Sequence, residues 1–214
     1  MKSNPDPDEV LAALGDKVVS ALAEAVVQTR TDLDEYRENL PRFVTEHSPR
    51  GLANWIHDRL FHHVAKALDE TPGVFIRDAG PIRKVSCGVN YLIRLKRHDP
   101  LGAIASYPTE MALEFQGQAD DDLVLEGLAE LHLMAGYIWL EESREIGPAV
   151  LSYRIGKKIG WIRLLEELRG DEFGFDFGGG TFPIAPPSGL PSLPTIAITI
   201  TIDEEDSSAS DGGL

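Results

Sequence analysis

The clearest pattern of alternating hydrophobic and polar positions lies between residues 85 and 98. Successive side chains of a β-strand point to opposite faces, so an apolar residue at every second position predicts one buried face. The apolar set is Val85, Cys87, Val89, Tyr91, Ile93 and Leu95. We therefore predict one long strand, whose other face is exposed and ends in cations and His98.

Two earlier stretches have apolar residues at every third or fourth position, the spacing of an amphipathic helix. Over residues 8–40 this spacing predicts two consecutive helices, the second starting near Thr31. Ser48 and Pro49 supply a cap and a first helical residue for a further helix, which runs to about Glu70. We expect this last one to be the principal core helix.

Further stretches predict the rest of a sheet. Alternation indicates strands near residues 74–77, 131–140, 149–155 and 159–165, and a short helix is expected at 107–118. Consecutive strands of this kind form a meander, so the sheet should be mainly antiparallel, with the principal helix packed on it. The predicted fold class is α+β. The residues expected to be largely buried are Trp55, Tyr91, Ile93, Trp139 and Trp161.

These patterns divide the chain into three parts. Residues 1–46 form an amphipathic helical arm, 47–170 an α+β core domain, and 171–214 a Gly/Pro-rich linker with a flexible acidic tail. The arm packs on its own core, or binds a partner or a second copy. In the tail, residues 196–202 alternate like an edge strand before the acids at 203–206. Such a strand gains stability by adding to a sheet, so we expect it to cover the protein's own cations or to bind a partner.

Charge changes this picture, because the chain has 35 acidic and 20 basic residues and a formal net charge of −15. This balance argues against non-specific wrapping of nucleic acid. Between residues 73 and 98, however, six Lys and Arg accompany one acid, Asp78. The predicted binding residues, which we call the basic stripe, are Arg77, Arg83, Lys84, Arg94, Lys96, Arg97 and His98. They could hold phosphates of a nucleic acid, receive an acidic protein segment, or pair with the chain's own carboxylates.

Three further features of the sequence bear on the location of the protein. The chain begins with charged and proline residues instead of an apolar leader, and its longest nearly apolar run, 131–140, is too short for a spanning helix. Its single cysteine, Cys87, excludes an intramolecular disulfide, and its inward position is typical of a core residue. We expect a cytoplasmic protein that contacts no membrane.

Three histidines of the principal helix are candidate metal ligands: His57, His62 and His63. Two histidines bind one metal from a helix most readily four residues apart, and these lie five, six and one apart. We therefore expect them to make local hydrogen bonds, and we expect neither a metal nor another cofactor.

A metal-dependent nuclease of the restriction-enzyme type needs an acid two residues before a lysine, together with an acid on a neighbouring strand. Asp78 could be the neighbouring acid and Lys96 the lysine, but Arg94 occupies the position of the second acid. Glu110 or Glu114 would have to replace it. These acids are more typical of a solvated helix surface.

A resemblance is carried by residues 49–59 (PRGLANWIHDR), 94–98 (RLKRH) and 106–115 (SYPTEMALEF). These stretches resemble uncharacterised proteins of high-GC Gram-positive bacteria and their phages, over about residues 40–170. Some of those proteins lie beside regulators with a helix-turn-helix and a metallopeptidase domain. The resemblance implies a toxin, antitoxin or phage-defence context and assigns no catalytic residue.

The function expected from the sequence is that of a non-enzymatic cytoplasmic interaction or regulatory protein. It would bind a partner protein through the arm, the basic stripe or the tail. The alternative is a metal-dependent nuclease or nucleic-acid-directed toxin that uses residues 77–98.

Overall fold

The structure is a computed structural model that describes residues 4–79, 82–104, 131–156 and 158–166. Within these residues the helices are α1 (Pro7–Leu14), α2 (Asp16–Asn39), α3 (Pro41–Glu46) and α4 (Pro49–Leu68). The strands are β1 (Val74–Ala79), β2 (Ile82–Cys87), β3 (Tyr91–His98), β4 (Leu131–Leu140), β5 (Glu145–Ile155) and β6 (Lys158–Leu164). The predicted α+β class is confirmed.

The N-terminal helices divide at Gly15 and not near Thr31. The Asp6 side chain accepts hydrogen bonds from the Asp8 and Glu9 amides and so caps α1, which ends where Gly15 adopts a φ of +80°. Helix α2 then continues through Thr31, whose hydroxyl donates 3.2 Å back to the Val27 carbonyl, a common bond for threonine inside a helix. The expected second start was therefore wrong.

The six described strands form one sheet in the order β1-β2-β3-β4-β5-β6. All described neighbours pair antiparallel except β3 and β4, which are parallel. The mainly antiparallel sheet is confirmed, but the simple meander is wrong at this junction, because parallel neighbours need a crossover connection. The helix expected at 107–118 and the linker and tail expected at 171–214, with the edge strand at 196–202, lie outside the described residues.

The predicted strand over residues 85–98 is a hairpin. Chain reversal occurs at residues 88–90, where Gly88 has a φ of +61°, and Cys87 faces Tyr91 across the ladder. Val89 lies in the turn and is 74% exposed, which corrects its expected burial. Because the turn has three residues, the odd-numbered residues of both strands lie on the same face. The alternation of apolar and polar positions is therefore the same for a hairpin as for one long strand.

Helices α2 and α4 pack on one face of the sheet, here called the helix face; the opposite side is the outer face. The most buried core side chains include Val26 and Leu33 of α2, Ile56, Leu60 and Val64 of α4, and Ile93, Leu133 and Leu151 of the strands. Ile93, Trp139 and Trp161 are buried as expected, whereas Trp55 and Tyr91 are half-buried. None of the described helices is long and apolar enough to cross a membrane.

Gly136 permits the close approach of β3 and β4. A Cβ atom at this position would lie 1.9 Å from the Lys96 carbonyl oxygen, which belongs to the backbone and cannot rotate away. At Gly88, by contrast, nothing lies within 4 Å of the equivalent atom. The centre of the sheet therefore depends on the missing side chain at Gly136.

We expect Gly136→Ala to lower the free energy of unfolding by more than about 2 kcal/mol, because the strands must move apart to admit the methyl group. Gly88→Ala is the matched control and should cost only about 1–2 kcal/mol for its left-handed backbone. Urea unfolding followed by circular dichroism measures both. Equal losses at the two positions would contradict this explanation.

Candidate functional site

The register of the strands sorts the basic stripe onto two faces. Residues directly opposite in an antiparallel pair share a face, and Arg77 lies opposite Lys84. Both project from the outer face, because their neighbours in the sequence point toward the helices. Arg94 and Lys96 alternate with Ile93 and Leu95 of the helix face and therefore share the outer face, on which Leu92 and His98 are also buried. Four stripe residues are thus brought together on one side of the β1–β3 part of the sheet.

We call these four cations, together with Phe75, the outer basic face. Phe75 is 69% exposed and lies two residues before the exposed Arg77, on the same side of β1. Lys84, Arg94 and Lys96 are half-buried. Burial lowers the pKa of Lys96, and the adjacent Arg94 lowers that pKa further. Among the described outer-face positions of β1, β2 and β3 there is no carboxylate, so none of these strand positions neutralises Arg77 or Lys84.

Arg83 points to the helix face and is already paired. Its guanidinium lies 4.9 Å from the ring centroid of Phe61 and bonds to the carboxylates of Asp58 and, at 3.2 Å, Asp78. These contacts tie α4 to the β1–β2 hairpin. They also occupy Asp78, the acid considered for a nuclease; Glu110 and Glu114 lie outside the described residues.

Arg97 also lies on the helix face, near the C-terminal end of β3. Its guanidinium carbon is 5.8 Å from the ring centroid of Trp139, whose indole N–H donates 2.7 Å to Glu141. Arg97, Arg144 and residues of the first turns of α4 line a small cavity of about 30 Å³. Arg97 therefore lies near the start of the principal helix and is separate from the outer basic face.

His98 is fully buried, which corrects its expected place on an exposed surface. The ring Nε2 lies 2.9 Å from the hydroxyl oxygen of Ser152 on β5. Since His98 is paired with Ile138 of β4 and Ser152 with Met134, the imidazole must cross β4 at Gly136. Burial, and secondarily Arg154, lowers the pKa of His98 to about 4. His98 is thus a neutral residue of the interior.

The three candidate metal ligands of α4 have different surroundings. His63 bonds to Asp32 of α2 at 2.7 Å, and Arg59 bonds to the same carboxylate at 2.6 Å. Burial alone would raise the pKa of Asp32, but these two hydrogen bonds lower it. His57 faces Arg83, and His62 is exposed. In the described ranges no three His, Cys, Asp or Glu side chains are placed to hold a metal ion.

Two site features were missed from the sequence. One is the exposure of Phe75, which is unusual for an aromatic side chain. Its position between Val74 and Ile76, which point inward, could have predicted that Phe75 points outward. The Ser152 partner of His98 had no such signal, because it lies 54 residues further along the chain. Comparisons with protein families, with curated proteins and with solved structures find no match to this chain.

Burial of His98 makes stability depend on pH. The folded protein holds this ring neutral with a pKa of about 4, whereas the ordinary value is 6.5. As the pH falls from 6.5 toward 4, the unfolded chain binds a proton that the folded chain does not, so stability decreases, by up to about 3 kcal/mol. Denaturant unfolding at several pH values should show a shallower decrease in His98→Gln. The exposed His62→Gln is the control; an identical slope in both variants would be inconsistent with this role of His98.

Proposed function

We propose that this chain is a non-enzymatic interaction protein that binds an acidic segment of a partner protein on its outer basic face. The observation that carries the proposal is the pair of neighbouring cations Arg77 and Lys84 beside the exposed Phe75 ring on one face of an otherwise acidic protein. Arg77 and Lys84 make no ion pair with any described residue, in contrast to Arg83. Their charge remains for a partner.

Electrostatics favours this assignment. A local positive region attracts acidic segments and orients them as they approach, while the acidic remainder of the surface repels them elsewhere. A single exposed ion pair contributes at most about 1 kcal/mol, so several neighbouring cations are needed for useful affinity. The Phe75 ring adds apolar contact area beside these charges.

The resemblance described above motivates the biological setting. We propose that the partner belongs to a cytoplasmic toxin–antitoxin or phage-defence module, whose components are transcribed together. Co-expression with the product of the neighbouring gene, followed by isolation of the complex, tests this setting directly.

A second candidate is the binding of single-stranded nucleic acid. The specific observation is Phe75, because an exposed aromatic ring on a sheet face beside Arg77 could stack on a base while the cation holds a phosphate. A nuclease activity has less support in the described residues, since Asp78 is ion-paired with Arg83.

We expect an oligo-glutamate peptide to bind the protein in low salt, and Arg77→Glu/Lys84→Glu to weaken binding by about tenfold or more, because both attractions become repulsions. Fluorescence anisotropy of a labelled peptide measures this. Lys17→Glu/Lys66→Glu makes the same change in net charge at two exposed helix positions and should bind nearly as the unaltered protein does. If both double variants lose affinity equally, only net charge matters and the outer basic face is not the site.

Phe75→Ala separates the two candidates. Loss of a stacked base costs about 1–3 kcal/mol, so binding of oligo-thymidine should fall at least about fivefold if nucleic acid is the ligand. Binding of oligo-glutamate should change by less than this factor. Failure of oligo-thymidine to bind the unaltered protein in low salt would exclude the second candidate.

A further inference from the structure

The outward side of β1 is a free edge of the sheet in the described structure. The Gly88 amide donates 2.7 Å to the Gly73 carbonyl, which sets the phase of the β1–β2 ladder. Gly73 and Gly88 are therefore a hydrogen-bonded pair, and such pairs alternate with pairs that make no hydrogen bonds to each other along an antiparallel ladder. The residues whose backbone groups point away from β2 are therefore Val74, Ile76 and Asp78. The Val74 amide bonds to the Thr71 carbonyl at 3.1 Å, so Ile76 and Asp78 supply the unused donors among these three.

The side chains along this edge differ between the two faces. On the helix face, Val74 and Ile76 are half-buried against the core. On the outer face, Phe75 and Arg77 are exposed, and Lys84 lies beside Arg77. A strand added here would place alternate side chains next to an apolar layer and next to cations.

We propose that the partner segment binds by adding a strand to the free edge of β1. Its apolar side chains continue the layer of Val74 and Ile76, and its carboxylates lie beside Arg77 and Lys84. Backbone hydrogen bonds to Ile76 and Asp78 supply affinity, while the alternating side chains supply specificity. This inference rests on the proposed function and specifies the chemistry of its ligand: an extended segment in which apolar and acidic residues alternate.

Charge complementarity favours an acidic partner segment over a second copy of the chain at the edge of β1. Two copies paired through β1 would bring the same cations together on one face and would join two molecules of formal charge −15. An acidic segment instead neutralises Arg77 and Lys84 and covers the unused backbone donors.

The test uses the full-length protein and a labelled ten-residue peptide in which valine and glutamate alternate. One comparison peptide has lysine in place of glutamate, and another keeps every side chain but is N-methylated along one edge. We expect the valine–glutamate peptide to bind, the lysine peptide not to bind, and N-methylation to weaken binding by about tenfold through the loss of backbone hydrogen bonds. Hydrogen exchange at the Ile76 and Asp78 amides should slow when the valine–glutamate peptide is bound.

A protein variant tests the same contact from the other side. Ile76→Pro removes an amide that points away from β2, so the pairing of β1 with β2 is preserved while one donor is lost. We expect Ile76→Pro to lower the affinity for the valine–glutamate peptide severalfold. Ile76→Val keeps the amide and should bind the peptide like the unaltered protein.

The outcomes distinguish the inference from the function on which it rests. If the N-methylated peptide and Ile76→Pro both bind at full strength, strand addition is wrong, although binding of an acidic segment stands. If neither oligo-glutamate nor the valine–glutamate peptide binds, the proposed function itself is wrong. Concentration-dependent dimerisation that protects the Ile76 amide without peptide would assign this edge to a second copy and overturn the inference.

Discussion

Backbone contact between β3 and β4 at Gly136 is the constraint on which the rest of the sheet depends. The Lys96 carbonyl occupies the space that a side chain at Gly136 would need, and the imidazole of His98 crosses β4 over the same residue to reach Ser152. One glycine thus allows two contacts: the parallel pairing of the central strands and a polar link from β3 to β5. Because β3 also carries Arg94 and Lys96, this junction fixes where the outer basic face lies relative to the core.

The same register explains why neighbouring cations have different roles. Arg83 and Lys84 are adjacent in the sequence, but the pleat directs Arg83 to the carboxylates of Asp58 and Asp78 and directs Lys84 to the outer face beside Arg77. The protein therefore neutralises one cation internally and leaves the next one, which is half-buried, without an ion pair to any described residue. A run of positive charge in the sequence is consequently a poor guide to the charge of any one surface.

Elements with local signals were predictable. Helix α4 begins at Pro49 because Ser48 caps it, and β4 covers the predicted residues because they form a nearly apolar run that is buried on both faces. The hairpin at residues 88–90 was not predictable from alternation, since an odd-numbered turn leaves the pattern unchanged. The direction of β4 relative to β3 and the burial of His98 were also hidden, because both depend on partners that lie far away in the sequence.

The position of the parallel pair also bears on how the chain folds. Strands β1 to β3 pair through short turns, as do β4 to β6, whereas Tyr91 and Leu131, which are paired across the central junction, are 40 residues apart. Closing that long loop costs more chain entropy than forming either set of hairpins. We therefore expect the two halves of the sheet to form before they join at Gly136, and their union to complete the surface that α2 and α4 cover.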